Sequence, residues 1–302
     1  MYRIERYKEE YLEDHVRIGA SIYNQWPMGG QTKIDQLREA YSKDDFDPET
    51  RLYAFERDEM VGFITCAMRD DDSAFFEFPY VVEEHREAED LLIQRAMEVL
   101  KGKGAKKLVA RAGEYWGRSG ELARAYGFTK TEDLALRGEV TLNYKGDTIT
   151  DRITDEILNY TAENVEEKHR DALTEYIRGK VPDERIETMV NNALSFEIGK
   201  EKLNPWDIPY SISGNLVVVK DSEVIGRLVS IQNRNFGERT HVLISYYARD
   251  EKVRDVLIGR MSEKYPGWTL IVHTGPWGIP EESLKDLTTE FRPVLSYFEK
   301  EI

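Results

Sequence analysis

The stretch RLYAFERDEMVGFITCAM (51–68) has the pattern of two β-strands joined by a charged turn. Its inner part, LYAFERDEMVG (52–62), aligns without a gap with LVVVKDSEVIG (216–226), at an offset of 164 residues. In both stretches the second strand is entered through a glycine, Gly62 or Gly226. This self-similarity predicts that the chain contains one structural plan twice.

The similarity continues downstream in the same order. FEFPYVV (76–82) corresponds to VLISYYA (242–248), and DLLIQR (90–95) to DVLIGR (255–260), at offsets of 166 and 165 residues. KLVAR then corresponds to TLIVH, and a Trp-Gly pair follows each, at Trp116 and Trp277. The polar stretch after residue 142, with its Lys-Gly-Asp turn, predicts a boundary between domains 1–147 and 148–302.

Within each half the elements follow the order strand, one or two helices, three strands, helix, strand, helix, strand. Hairpins together with a strand–helix–strand crossover exclude a fully parallel sheet. We therefore predict an α/β fold with two tandem domains, each a mixed, mostly antiparallel sheet with flanking helices.

Three helices can be placed from the pattern of apolar residues. One spans 84–100, and its counterpart begins near Asp250 and stops before Pro266. A short helix in GELARAYGF (120–128) ends at Gly127. The residues expected to form the buried stripe of the first helix are Leu91, Leu92, Arg95, Ala96 and Val99.

The composition of the chain disfavours several classes of partner and cofactor. The chain has 57 acidic and 42 basic residues and a net charge of -15, which disfavours nucleic acid or an anionic membrane as a partner. Its single cysteine, Cys66, lies in an apolar run, so we expect a small buried residue in a reducing compartment. The five histidines lack metal-ligand spacing. We expect no metal, no membrane-spanning segment and a cytoplasmic location.

The order of elements, with RLYAFERDEMVGFITCAM as the central hairpin and SGELARAYGFTKTED (119–133) near the end of the unit, resembles the GNAT acetyltransferase superfamily. The resemblance covers residues 1–142 well and the second half mainly through the internal repeat. It implies that acetyl-CoA lies between the strand 75–82 and the strand 107–111. Backbone groups of Val81 and Val82 would then hold the pantetheine arm.

The resemblance also implies a phosphate-binding turn before the helix, at Arg86, Glu87 and Ala88. Glycines and free amides at a helix N-terminus suit phosphates in general. The family's pattern requires Arg or Gln where this chain has Glu83, and Gly where it has Arg86; Ala88 fits. The acidic run EEHREAED is equally well explained as a capped helix start in solvent. The second half matches less well, and we expect it to be degenerate.

Glu77 interrupts the apolar run AFFEFPYVV at the position where the family's general base usually lies. An edge-strand carboxylate in solvent, or one bonded to a lysine, is the alternative. The acid that reprotonates the thiolate is usually a tyrosine at the position of Ala123, so Tyr126 and Tyr115 are the substitutes. Each could instead be a packed aromatic residue. Pro79 removes a donor and predicts a bulge or divergence of the strand.

Three functions follow from these observations. The first is an acetyl-CoA-dependent N-acetyltransferase with its active site in the N-terminal half. The second is a catalytically silent GNAT-fold binding protein, and the third is a structural scaffold. The expected acceptor is the amine of a small molecule or a protein. We expect a monomer with internally paired domains or a homodimer.

Overall fold

The computed structural model describes residues 1–23, 31–114, 117–142, 160–204, 208–233, 236–275, 278–285, 287–288 and 290–302. The chain divides into two compact units. The first consists of Met1–Leu134 and Pro293–Ile302, and the second of Ala135–Arg292. The boundary predicted between residues 147 and 148 lies outside the described residues.

The first unit contains helices and strands from both ends of the chain. Its helices are α1 (Leu12–Tyr23), α2 (Ile34–Tyr41), α3 (Glu87–Gly102) and α4 (Ser119–Ala125), with 3-10 turns at Glu9–Tyr11, Pro48–Thr50 and Glu83–His85. Its strands are β1 (Tyr2–Arg6), β2 (Arg51–Glu56), β3 (Glu59–Met68), β4 (Ser73–Phe76), β5 (Tyr80–Val81), β6 (Lys107–Gly113), the first residues of β7 (Thr129–Thr141), and β14 (Phe291–Glu301) from Pro293 onward.

These strands form a mixed sheet in the order β1-β2-β3-β4-β6-β14-β7, and β5 pairs separately with β3. β2 and β3 form the predicted hairpin, with Arg57 in the left-handed region at the turn (φ 55°). β4 and β6 are parallel, because α3 carries the chain from one to the other. The crossover predicted from sequence is therefore present.

The strand next to β6 comes from the far end of the chain. β14 pairs with β6 along its length, from Leu295 opposite Gly113 to Glu301 opposite Lys107. β7 follows α4 directly in sequence, yet it lies on the other side of β14. The first unit is thus completed by a segment that the sequence analysis assigned to the second half.

The second unit repeats this plan. Its helices are α5 (Arg170–Ile177), α6 (Asp183–Leu194), α7 (Glu251–Lys264) and α8 (Glu281–Leu284), with a 3-10 turn at Glu167–His169. Its strands are the end of β7, β8 (Glu163–Asn164), β9 (Glu201–Leu203), β10 (Pro209–Lys220), β11 (Glu223–Asn233), β12 (Thr240–Ala248) and β13 (Thr269–His273).

Here β10 and β11 form the hairpin, and α7 connects the parallel strands β12 and β13. β13 then pairs antiparallel with β7, from Thr269 opposite Thr141 to His273 opposite Arg137. The predicted fold class, two units with mixed and mostly antiparallel sheets, is confirmed. The predicted start of the second crossover helix is also confirmed, since Asp250 is the N-cap of α7.

The core of the first unit lies between the sheet and α3. The buried residues of α3 are Ala88, Glu89, Leu92, Ile93, Ala96 and Leu100. The predicted stripe was wrong at Leu91, which is 40% exposed, and at Arg95, which is exposed and pairs with Glu98. Cys66 is buried in the same core, as predicted, and burial raises its pKa to about 12.

We predict that Phe298→Ala in β14 loosens the first unit, because Phe298 is buried in the core that contains Cys66. Removing a buried phenyl group costs about 3 kcal/mol or more. A disulfide reagent that reacts with the single thiol should therefore modify native protein ~100-fold faster in the variant.

Phe291→Ala is the matched control, because Phe291 lies at the start of the same strand but packs in the core of the second unit. It should leave the reactivity of Cys66 unchanged. Equal rates for Phe298→Ala and the wild type would show that β14 is not needed to close the first core.

Candidate functional site

β4 and β6 separate at a defined point in the first unit. Their parallel pairing ends with Phe76 opposite Ala110. The N–H of Glu77 still donates to Thr65 O (3.1 Å), but Tyr80 is already opposite Phe63, so β3 has one residue fewer over this interval. The predicted continuous strand 75–82 was thus wrong, and the predicted bulge near Pro79 is confirmed.

Beyond the bulge, Val81 of β5 turns its backbone groups away from β3. The N–H of Val82 donates to Val61 O (2.9 Å), which makes those two residues a hydrogen-bonded pair. Val81, opposite Gly62, therefore directs its N–H and C=O away from β3. Among the described residues, no strand pairs with β5 on that side. Among the described residues, β5 and the end of β6 are thus not paired with each other, and we call this interval the gap.

Four side chains form what we call the polar row, across adjacent strands at the mouth of this gap: Arg51 on β2, Thr65 on β3, Glu77 after β4, and Arg111 on β6. Arg51 is opposite Thr65, and Glu77 and Arg111 directly follow the last β4–β6 pair. Alternation along strands puts them on the sheet face opposite the α3 core.

Glu77 is held from both sides. Thr65 Oγ1 donates to Glu77 Oε2 (2.5 Å), and Arg111 Nη2 lies 3.5 Å from Glu77 Oε1. The side chains of Glu77 and Arg111 are 21% and 25% exposed, so solvent reaches both. Glu77 therefore lies in a polar cluster where β4 and β6 separate. Its cationic partner is an arginine, whereas the alternative considered from sequence was a lysine.

Arg51 is held differently. Its Nη1 donates to Thr50 Oγ1 (3.0 Å) and to the backbone oxygen of Cys66. The guanidinium lies over the rings of Tyr41 (5.4 Å) and Phe46 (5.7 Å). Its Nε is buried and has no hydrogen-bond partner in the described part of the chain. No described carboxylate pairs with Arg51 either.

A buried histidine belongs to the same sheet face. His15 stacks on Phe63 with ring centroids 4.0 Å apart, and its Nδ1 lies 3.1 Å from Tyr53 OH. Burial, and secondarily the charge of Arg51, lowers the pKa of His15 to about 3. His15 is therefore neutral at physiological pH and packs as an aromatic residue.

No role was predicted from sequence for Arg51, Arg111 or His15. A signal was available for Arg111, which is a charged residue between apolar neighbours in LVARA (108–112), as Glu77 is in its own run. The side-chain pairing across strands could not be read from one sequence, because it depends on the register of four strands.

Tyr126 lies at the end of α4, and its hydroxyl donates to Asp90 Oδ1 of α3 (2.5 Å). Burial, and next the hydrogen bond to Asp90, raises the pKa of Tyr126. Glu77 contacts Thr65 and Arg111 instead. The two predicted catalytic residues therefore have different hydrogen-bond partners. Tyr115, the other predicted acid, lies outside the described residues, as do Trp116 and Trp277.

The predicted phosphate-binding turn is acidic. Arg86 is the N-cap of α3 without a side-chain cap, and its Nη2 lies 2.7 Å from Glu83 Oε1 in an exposed ion pair. Glu87 is exposed in the first turn of the helix, and Ala88 is fully buried in the core. Arg86, which would have to bind the phosphates, is thus already paired with a carboxylate.

The next turn contains an ion pair that the sequence analysis missed. Glu89 is 7% exposed and pairs with Arg118 (Nη1 to Oε2, 2.6 Å). Burial raises the pKa of Glu89, and the charge of Arg118 opposes this shift. The pair links α3 to the residue that precedes α4.

Among the described residues, the corresponding opening in the second unit has no carboxylate. Parallel pairing of β12 and β13 ends at Val242 opposite Ile271. Leu243 is opposite Ser230 as Phe76 is opposite Cys66, so by register the exposed Ile244 corresponds to Glu77. His273, at the end of β13, is buried, and burial lowers its pKa to about 4. The amide of Val253 at the start of α7 donates to the Asp250 side chain (3.0 Å), so a carboxylate of the chain itself caps this helix.

The described residues contain no group of three or more His, Cys, Asp or Glu side chains arranged to hold a metal ion. No helix in the described ranges is both long and apolar enough to cross a membrane.

Several solved structures that are similar to this chain are of proteins described as acetyltransferases. The chain is similar to a GCN5-related N-acetyltransferase from Sphaerobacter thermophilus (11% identity, TM-score 0.43, 99% of this chain and 95% of that one). It is also similar to a tandem GNAT protein from the clavulanic acid biosynthesis pathway (12% identity, TM-score 0.43, 100% and 98%).

A third structure is PaiA N-acetyltransferase from Thermoplasma acidophilum in complex with coenzyme A (21% identity, TM-score 0.34), which matches 43% of this chain and 91% of its own length. No family model matches the sequence, and no curated protein matches it. The fold class assigned above rests on the strand register of the chain itself.

We predict that His15 makes the stability of the first unit depend on pH. The unfolded chain takes up a proton near pH 6.5, whereas the folded protein resists it until about pH 3. The stabilisation is therefore present above pH 6.5 and is lost as the pH falls. Between pH 7 and pH 4.5 the wild type should lose about 2 to 3 kcal/mol more than His15→Phe.

Urea denaturation of both proteins at the two pH values measures this difference. The other buried histidines are present in both proteins, so the comparison isolates His15. The loss of the Tyr53 hydrogen bond in the variant costs the same at each pH. An identical stability gap at pH 7 and pH 4.5 would contradict the prediction.

Proposed function

We propose that the protein is an acetyl-CoA-dependent N-acetyltransferase whose active site lies in the first unit. The observation that carries this proposal is the Glu77 carboxylate, partly exposed at the mouth of the gap between β5 and β6. The gap is where the sequence resemblance puts the acyl group of the co-substrate. A carboxylate at that point is suitably placed to accept a proton from an amine.

The chain's residues fit one part of acetyl-CoA better than the other. The outward N–H and C=O of Val81 suit the amides of an extended pantetheine arm, whereas the N–H of Val82 is already used by Val61. The turn before α3 suits phosphates less, because Glu83 neutralises Arg86 and further acids follow. We therefore expect weak binding, with phosphates near Arg86, Glu87 and Ala88.

Bound acetyl-CoA would supply an activated acyl group as a thioester. Glu77 would accept the proton of the acceptor's ammonium group, directly or through one water. Thr65 fixes Oε2 of Glu77, and Arg111 holds Oε1, so the carboxylate is oriented in advance. Tyr126 would have to release its hydrogen bond to Asp90 before it could protonate a thiolate, so its contribution should be small.

We predict that Glu77→Gln lowers turnover by roughly 10² to 10⁴, because the amide cannot accept a proton. The affinity for acetyl-CoA, measured by calorimetry, should remain nearly unchanged, and Tyr126→Phe should have a much smaller effect on rate. An active wild type whose rate and pH profile survive in the glutamine variant would assign Glu77 a structural role.

We further predict that Glu83→Gln strengthens acetyl-CoA binding about 2- to 5-fold. The change releases Arg86 and removes one negative charge near the helix N-terminus, each effect being worth up to about 1 kcal/mol. Arg86→Glu should weaken binding.

Glu98→Gln is the matched control, since Glu98 makes the same type of exposed ion pair with Arg95 on α3. It should leave the affinity unchanged. If Glu83→Gln and Glu98→Gln both bind acetyl-CoA as the wild type does, the phosphates do not lie at this turn.

The acidic turn also favours the second candidate, a catalytically silent protein of the same fold. In that case acetyl-CoA should not raise the melting temperature at any concentration, whereas binding to the folded state raises it progressively. Calorimetry should give one site per chain under the enzyme proposal. Two sites, or one abolished by changes at Glu251 and Val253, would reverse the assignment to the first unit.

A further inference from the structure

The polar row contains more positive than negative charge. Arg51 and Arg111 lie on either side of Glu77, the row's carboxylate, so the row carries a net charge of about +1 in a chain whose overall charge is -15. Glu77 lies 3.5 Å from Arg111, and Arg51 has no carboxylate partner among the described residues. The uncompensated charge is therefore on Arg51.

Both guanidinium groups rest on aromatic rings. Arg51 lies over Tyr41 at 5.4 Å and over Phe46 at 5.7 Å, and those two rings stack with centroids 4.5 Å apart. Arg111 lies over Phe75 at 5.0 Å. A guanidinium stacked in this way has few orientations left, so its planar donors are fixed before a ligand arrives.

The Arg51 side chain is only partly buried, so its charge is within reach of a ligand. Nη1 makes the contacts to Thr50 and Cys66. Nε has no described partner but is shielded from solvent, so an incoming carboxylate meets the guanidinium charge rather than this N–H. Charge-assisted bonds from arginine to a carboxylate are among the stronger hydrogen bonds in proteins.

We propose that the acceptor of the first unit is an amine that also carries a carboxylate, with the carboxylate bound at Arg51 and the ammonium group at Glu77. The inference rests on the proposed function and makes it more specific. The overall negative charge of the chain would favour a polycationic acceptor. The local charges of the polar row favour a carboxylate-bearing one instead, because ligand selection depends on the charges at the binding site. Arg111 is the positioning residue that holds Glu77.

The experiment compares acceptors that differ in one carboxylate: L-tyrosine with tyramine, L-lysine with cadaverine, and γ-aminobutyrate with n-propylamine. Acetyl transfer and thermal shift are both measured on the full chain. In at least one pair, the carboxylate-bearing member should have a kcat/KM ~10- to 100-fold higher than its partner.

Arg51→Gln should remove that preference by raising KM for the carboxylate-bearing acceptor, with little change for its decarboxylated partner. Arg51→Lys should restore part of it, which separates loss of charge from misfolding. Arg260→Gln is the control, because Arg260 makes an exposed ion pair with Glu263 on α7. It should leave the preference intact.

The outcomes separate this inference from the proposed function. Acetylation of decarboxylated amines as fast as, or faster than, their partners overturns the inference and leaves the enzyme intact. Carboxylate-dependent stabilisation that requires Arg51, without any acetyl transfer, supports the inference and overturns the enzyme. Absence of both transfer and binding for all three pairs overturns both. An equal loss for both members of a pair in Arg51→Gln overturns the inference alone, because the wild type would already have shown acetyl transfer.

Discussion

Pro79 has no N–H to donate, and the chain around it cannot continue the β4 ladder. The bulge around it shifts the register of Tyr80 and Val81 on β3 by one residue. β12 has a one-residue register shift over the corresponding interval without a proline, so Pro79 fits the bulge but is not its sole cause. Gly62 permits the close approach of β5 to β3, because a Cβ there would lie 2.7 Å from Tyr80 O. The outward backbone groups of Val81 and the position of Glu77 both depend on this local change of register.

The two units share an arrangement of strands but not its chemistry. Gly226 also allows a close approach, yet its missing Cβ makes room for Val253 of α7 rather than for a neighbouring strand. At the opening itself Ile244 and a neutral His273 correspond to Glu77 and Arg111. The two units share the hairpin and the parallel crossover, which depend on backbone geometry. The charged side chains of the polar row are found in the first unit.

The hairpins, the crossover helices and the repeat could be predicted because their signals are local: apolar runs, turn residues and helical spacing. The placement of β14 could not, because the residues of Phe291–Glu301 specify a strand without specifying a partner, and β6 is chosen over a long sequence separation. The exposed Leu91 has a related cause. The rotation of α3 about its axis is set by the 3-10 turn at Glu83–His85 and by the packing of Ala88. The spacing of apolar residues alone does not decide whether Leu91 or its neighbour faces the core.

For the site, Glu77 was identifiable as a lone carboxylate in an apolar run, but its partners come from strands that are distant in sequence. The β5–β6 gap is the place where we propose that acetyl-CoA binds. Hydrogen exchange followed by mass spectrometry, with and without acetyl-CoA, tests it directly. We expect protection in peptides covering residues 77–90 and 107–113, and none in those covering 243–253 and 269–275. Protection confined to the second unit, or none in either, would contradict the account.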